Sequence, residues 1–153
     1  MNNKIKSYII IISSIVGIAI LGSILVNIGM DWFSLLRKPL QFIPSFIIPV
    51  VWSVIYLTFA IVLCNWVNKE NLKVSTITLL IINGVLNIVW CLTFFTLNQT
   101  FIGLISIVLL LISAYLLVIN IYKQKKIYAY FTLIYPVWCS IATCLNLALW
   151  ILN

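Results

Sequence analysis

At 153 residues, 65% hydrophobic and only 7% charged, this chain lies outside soluble composition, in which about a quarter of residues carry charge. A net charge of +7 without a single histidine excludes histidine-ligated haem, and four cysteines lacking any C-x-x-C spacing exclude an ordinary zinc site, so no metal or cofactor is expected. The lysines cluster beside apolar runs, which points to anionic lipid headgroups as their partner and not to nucleic acid.

Apolar runs occur at residues 7–30, 46–67, 74–97, 101–122 and 128–152. About 20 helical residues cross a hydrocarbon core of about 30 Å, so each run is long enough to span a bilayer. The sequence therefore predicts an all-α membrane protein, a single domain over 1–153 built as a bundle of five transmembrane helices. The first run follows Lys4 and Lys6 but exceeds the apolar length of a signal peptide, and it is expected to remain as an uncleaved span. Its small-residue pairs Ser13/Gly17 and Ala19/Ser23 suit close helix contact, which leaves a homodimer seam open as one reading.

Between the first two spans lies a segment, 31–56, that holds Pro39, Pro44 and Pro49 with Trp32, Trp52 and the pair Arg37–Lys38. Proline cannot donate a backbone hydrogen bond and fixes its own φ, so this segment is expected to be irregular over much of its length, a proline-rich outer loop covering a site. The 98–100 connection between the third and fourth spans permits only an antiparallel helix pair. In the fourth span Gly103, Ser106 and Ser113 share a face suited to tight packing. Lys4, Lys6, Lys69, Lys73, Lys123, Lys125 and Lys126 fall on one side of the membrane, against Arg37 and Lys38 on the other. That seven-to-two split places the amino terminus in the cytoplasm and the loop and carboxyl terminus outside a cell membrane.

Trp66 and Trp150, with Tyr8, Tyr122, Tyr128 and Tyr130, sit near span ends and read as the interfacial aromatic belt. Within the spans, polar and aromatic residues form helical stripes. The second carries Trp52, Tyr56, Phe59 and Leu63; the third Asn83, Asn87, Trp90 and Phe94; the fifth Tyr135, Trp138, Ala142, Leu145 and Asn146. Amides avoid lipid, so the asparagines turn inward and bring the aromatics with them. Periodicity alone fits either interhelical packing or a cavity for a flat, mostly apolar ligand. Cys64, Cys91, Cys139 and Cys144 read as small buried hydrophobes. The only acids, Asp31 and Glu70, lie outside the spans, which argues against proton-coupled pumping.

Three motifs resemble those of the TspO/MBR family, the tryptophan-rich sensory proteins of bacteria and the mitochondrial translocator protein, or peripheral benzodiazepine receptor. Trp32-Phe33-x-x-Leu36-x-Lys38-Pro39, continued by Pro44, Trp52 and Tyr56, is similar to its loop and second helix. Asn87-x-x-Trp90-x-x-x-Phe94-Phe95 is similar to its third, and Trp138-x-x-Ile141-Ala142-x-x-Leu145-Asn146, ending in Leu152-Asn153, to its fifth. The resemblance covers about residue 31 to the end. Gln41 and Ile43 replace a tryptophan and a proline of the family pattern, and Pro136 follows Tyr135 where the family has proline before tyrosine, so lid and fifth-helix bend are expected to differ. The cholesterol-recognition stretch of mammalian members is absent after Asn146.

The resemblance implies binding of porphyrins, notably protoporphyrin IX, and of benzodiazepine-like drugs. It implies a cage walled by Trp52, Trp90 and Trp138, with Asn87 and Asn146 as hydrogen-bonding groups, Ala142 leaving room, and Arg37 and Lys38 meeting carboxylates. A sensory binding protein is the leading reading, a transporter of porphyrin or lipophiles the second. The third is a light- and oxygen-dependent porphyrin-degrading activity, which in the absence of any conventional acid–base pair would rest on Trp52 and Trp138, with Tyr56 and Tyr135 as electron donors.

Overall fold

The computed structural model describes residues 3–40, 43–44 and 46–153, so Gln41, Phe42 and Ser45 of the proline-rich segment lie outside the described residues. Five helical spans of membrane-crossing length and hydropathy are present: Lys4–Ile28, Ile47–Lys69, Val74–Thr96, Thr100–Gln124 and Lys126–Leu152. The elements are α1 (Asn3–Ile28), α2 (Met30–Leu35), α3 (Ile47–Lys69), α4 (Val74–Cys91), a π-helical turn (Leu92–Thr96), α5 (Thr100–Gln124), α6 (Lys126–Thr132) and α7 (Ile134–Leu152).

The irregular segment is shorter than the sequence suggested. Asp31, Trp32 and Phe33 belong to α2, and Pro49 is the third residue of α3. In a first helical turn the backbone N–H has no intrahelical acceptor, so proline there costs no hydrogen bond. Lys38 closes α2: its ammonium donates to the Phe33 carbonyl (2.9 Å), with longer contacts to those of Ser34 and Leu36, and lies 4.7 Å from the Phe33 ring centroid. The fifth span is broken at Leu133, because Pro136 has no N–H to offer the Thr132 carbonyl. At the turn into α5, Asn98 takes φ 56°, a left-handed conformation that asparagine tolerates better than most residues.

The spans close into a ring in the order α1, α4, α5, α6–α7, α3. α5 is its most embedded member and packs extensively on both α4 and α7. The small face of α5 does pack tightly: Gly103, Ser106 and Ser113 are buried. A Cβ on Gly103 would come within 2.6 Å of the Phe94 ring, and Thr93 donates to Ser106 (3.1 Å). α1 is the opposite case, since Gly22 is its only buried described residue. It is tied at both ends: Lys4 donates to the Asn68 carbonyl (2.9 Å) at the start, and at the close Thr96 donates to the Leu25 carbonyl (2.9 Å) while Gly29, the next residue after α1, leaves no room for a Cβ against the Phe95 carbonyl.

Two expectations are corrected here. Trp66 is not a belt residue; it is 1% exposed, packs on Tyr128 at 5.5 Å and donates its indole N–H to Glu70 (2.9 Å). The Glu70 bond is local, four residues on at the close of α3, whereas Tyr128 reaches Trp66 because α6 packs over α3. Glu70 also pairs with Lys125 (3.0 Å), whose hydrogen bond is the main cause of a carboxyl pKa below the usual range. Trp150, by contrast, is 41% exposed and stacks on Phe101. Among the cysteines only Cys91 and Cys139 are buried; Cys64 is half-buried and Cys144 exposed, since their positions on α3 and α7 turn away from the ring interior.

Candidate functional site

Between α1, α2, α3, α4 and the π-helical turn lies a partly open cavity of about 380 Å³. Its walls are Ala19, Gly22, Ser23, Val26 and Asn27 from α1; Met30 and Phe33 from α2; Ile48, Pro49, Trp52, Ser53 and Tyr56 from α3; and Asn87, Trp90, Cys91 and Phe95 from α4 and the turn. That volume lies at the lower end of the range typical of small-molecule sites, about 300–1,000 Å³. A second void of about 70 Å³ lies among Ile15, Ile18, Ile55, Phe59, Leu63, Leu80, Asn83, Gly84, Leu117 and Tyr135, and it shares Trp52, Tyr56 and Asn87 with the first.

Of the residues singled out in the sequence, Trp52, Tyr56, Asn87 and Trp90 meet at the main cavity. The Trp52 and Trp90 rings lie 5.9 Å apart and inclined by 30°, and Tyr56 is 5.9 Å from Trp52. Tyr56 donates to Asn87 Oδ1 (3.1 Å), and the Asn87 amide nitrogen has no partner among the described residues. Asn146 stands behind the wall: it accepts the Trp90 indole N–H (3.3 Å) and donates to the Ala142 carbonyl (2.9 Å). Tyr135 lines the smaller void and donates to Asn83 (2.7 Å), which in turn donates to Ser113 (2.8 Å), so this asparagine ties α4 to α5 and α7.

Trp138, Ala142 and Leu145 do not line either cavity. Trp138 and Ala142 are buried within the bundle and Leu145 is half-buried; the Trp138 indole N–H has no hydrogen-bond partner among the described residues. Trp32 packs edge-on against Phe94 at 5.6 Å, outside the main cavity. Pro44 is exposed. Arg37 is exposed too, and its backbone is clasped by Asn153, which accepts from the Arg37 N–H (2.9 Å) and donates to its carbonyl (3.1 Å).

Phe94 shows why helical spacing failed locally. In the π-helical turn the Leu97 N–H reaches back to the Leu92 carbonyl (2.9 Å), five residues away, and the extra residue shifts the register. Asn87, Cys91 and Phe95 consequently share the cavity face, while Phe94 turns into the core against Gly103. The contribution of α1 also went unread. Ala19, Ser23 and Asn27 are spaced by four, and Asn27 is an intramembrane amide, the same signal that identified Asn83 and Asn87.

No ionisable carboxylate or cation lines the cavity among the described residues. Its polar groups are amides, hydroxyls and one thiol set among aromatic and aliphatic walls, an arrangement that suits an apolar body bearing a few hydrogen-bonding groups.

The sequence profile of the TspO/MBR family matches residues 9–151, which extends the likeness into α1. A Tryptophan-rich protein TspO of Archaeoglobus fulgidus is 30% identical over 127 residues, 80% of each chain. Another of the same name, from Bacillus cereus, is 25% identical over 149 residues, 97% of each chain. Protein CrtK of Rhodobacter capsulatus is 25% identical over 125 residues, covering 80% of this chain and 78% of the relative.

Proposed function

This chain belongs to the TspO/MBR family of multi-pass membrane proteins, and on that premise we propose that it binds porphyrins such as protoporphyrin IX, and other flat hydrophobic ligands, in a sensory or regulatory role. The observation that carries this reading is the pair of neighbouring indoles, Trp52 and Trp90, inclined by 30° and lining the cavity beside the Asn87 amide. Indole faces stack on a flat aromatic body, and the amide supplies one directional hydrogen bond. For a ligand bearing carboxylates, the Lys38 ammonium is already committed to carbonyls, so the cation for them is Arg37.

Light-dependent breakdown of bound porphyrin is a second reading, favoured by one feature: Trp52 lies within 5.9–6.1 Å of Tyr56, Trp90 and Tyr135, a contiguous set of oxidisable rings. Absorbance of purified protein with protoporphyrin IX, followed in darkness and under illumination, separates the two. A saturable spectral shift stable in light supports binding alone; loss of the porphyrin bands faster than in free solution supports degradation. Absence of any saturable shift would overturn both.

The lysine-rich end is placed in the cytoplasm and Arg37 outside, from the seven-to-two split of cations. A cysteine introduced at exposed Ser34, in a background without native cysteines, is expected to react with an impermeant thiol reagent in intact cells. Labelling only after permeabilisation reverses the orientation.

A further inference from the structure

The two voids are separated by side chains alone. Trp52, Tyr56 and Asn87 line both, and the Tyr56–Asn87 hydrogen bond (3.1 Å) crosses from α3 to α4 at that shared wall. Beyond it the smaller void is apolar: Ile18, Leu63, Leu80 and Leu117 face it, and its polar pair, Tyr135 and Asn83, is satisfied internally at 2.7 Å. The void is partly open, and its almost wholly apolar lining suits an apolar guest. The partition is made of these three side chains, and a single neutral hydrogen bond joins Tyr56 to Asn87 across it. A ligand donor that takes the Asn87 carbonyl oxygen would release the Tyr56 hydroxyl.

We infer that the smaller void is a specificity subsite, which receives a short apolar substituent of the ligand once Tyr56 leaves Asn87, and that Tyr56 is the residue controlling passage into it from the main cavity. The inference rests on the proposed ligand class and adds what distinguishes one member from another: a neutral hydrocarbon arm of two or three carbons, with no group requiring a hydrogen bond.

Three porphyrins that differ only at two peripheral positions provide the probe: deuteroporphyrin IX (hydrogen), protoporphyrin IX (vinyl) and mesoporphyrin IX (ethyl), titrated by quenching of tryptophan fluorescence. The parent protein is expected to favour vinyl and ethyl over hydrogen by roughly tenfold, the effect of burying two carbons. Leu80→Phe fills the void directly. Gly84→Ala fills it more gently, because it adds a methyl group to the lining and the new Cβ, 2.7 Å from the Cδ1 of Ile18, makes that neighbouring side chain shift. Both are expected to reduce the preference to near unity, and comparing ratios within each protein cancels partitioning of the porphyrins into detergent. Tyr56→Phe, which removes the hydrogen bond and keeps the ring, is expected to widen the preference. An undiminished preference in either filled variant that retains its fold by circular dichroism, or no preference in the parent, overturns the subsite while leaving porphyrin binding intact. Failure of all three porphyrins to bind overturns the ligand class, and the subsite with it.

Discussion

α1 and α5 are both apolar helices of membrane length, 26 and 25 residues, and both carry glycine, alanine and serine on the face turned to the bundle. Their outcomes differ. The small residues of α5 are filled from opposite: Phe94 over Gly103, Thr93 on Ser106, Asn83 on Ser113. Those of α1 are filled far less: a Cβ at Gly22 would meet Cys91 at ordinary contact distance, Ala19, Gly22 and Ser23 border open space, and a Cβ at Gly17 would touch nothing within 4 Å; the close approach comes one residue past the helix, at Gly29. Lipid competes with helices for apolar contact on equal terms, so a span is held by close packing and hydrogen bonds and not by hydrophobicity itself. Small residues therefore make a seam where a large side chain faces them, and a cavity where none does.

Breaking the close backbone contact at Gly29, just past α1, has the largest expected effect. Gly29→Ala forces a Cβ against a backbone carbonyl that cannot rotate away, which is expected to cost about 1–3 kcal/mol and to lift α1 off the π-helical turn. Thermal unfolding in detergent should fall several degrees and porphyrin affinity should fall with it, whereas Gly17→Ala should change neither. Equal tolerance of both would mean that α1 is not pinned at that end.

A crossed comparison of two tryptophans sharpens the contrast between packed core and cavity wall. Trp66→Phe, in the fully packed region, should destabilise the fold by about 1–3 kcal/mol and leave ligand affinity within experimental error. Trp52→Phe, which borders open space, should weaken porphyrin binding by about 1 kcal/mol, roughly fivefold, with little change in stability. Titration and melting of both variants decide the matter, and parallel losses in both would dissolve the distinction.

The smallest effect is expected at the closure over Trp66. Glu70 has a folded pKa below its unfolded value, so its contribution to stability is fully present above the unfolded carboxylate range and is lost as pH falls through the folded pKa. Melting temperature should therefore decline on acidification below about pH 4.5 in the parent, and decline less in Glu70→Gln. Because the Lys125 pair is exposed on both sides, added salt should shrink the difference.

What the sequence determined by itself is local. Run lengths specified five spans, because a buried backbone in lipid must be helical, and the cost of an amide in hydrocarbon turned Asn83, Asn87 and Asn146 inward without reference to any partner. What only the tertiary structure decided depends on pairs of elements. The π-helical turn moved Phe94 into the core and Phe95 to the cavity. α6 folding over α3 made Trp66 a core residue beneath Tyr128, and the α2 carbonyls claimed the Lys38 ammonium. Trp138 carries the same side chain as Trp52 and Trp90 at a similar helical spacing, yet it lies off the cavity, which is formed by the side of the ring where α1 is loosely packed. A cavity is the space that side chains from several helices fail to fill, a property of the assembled set that no single helix encodes.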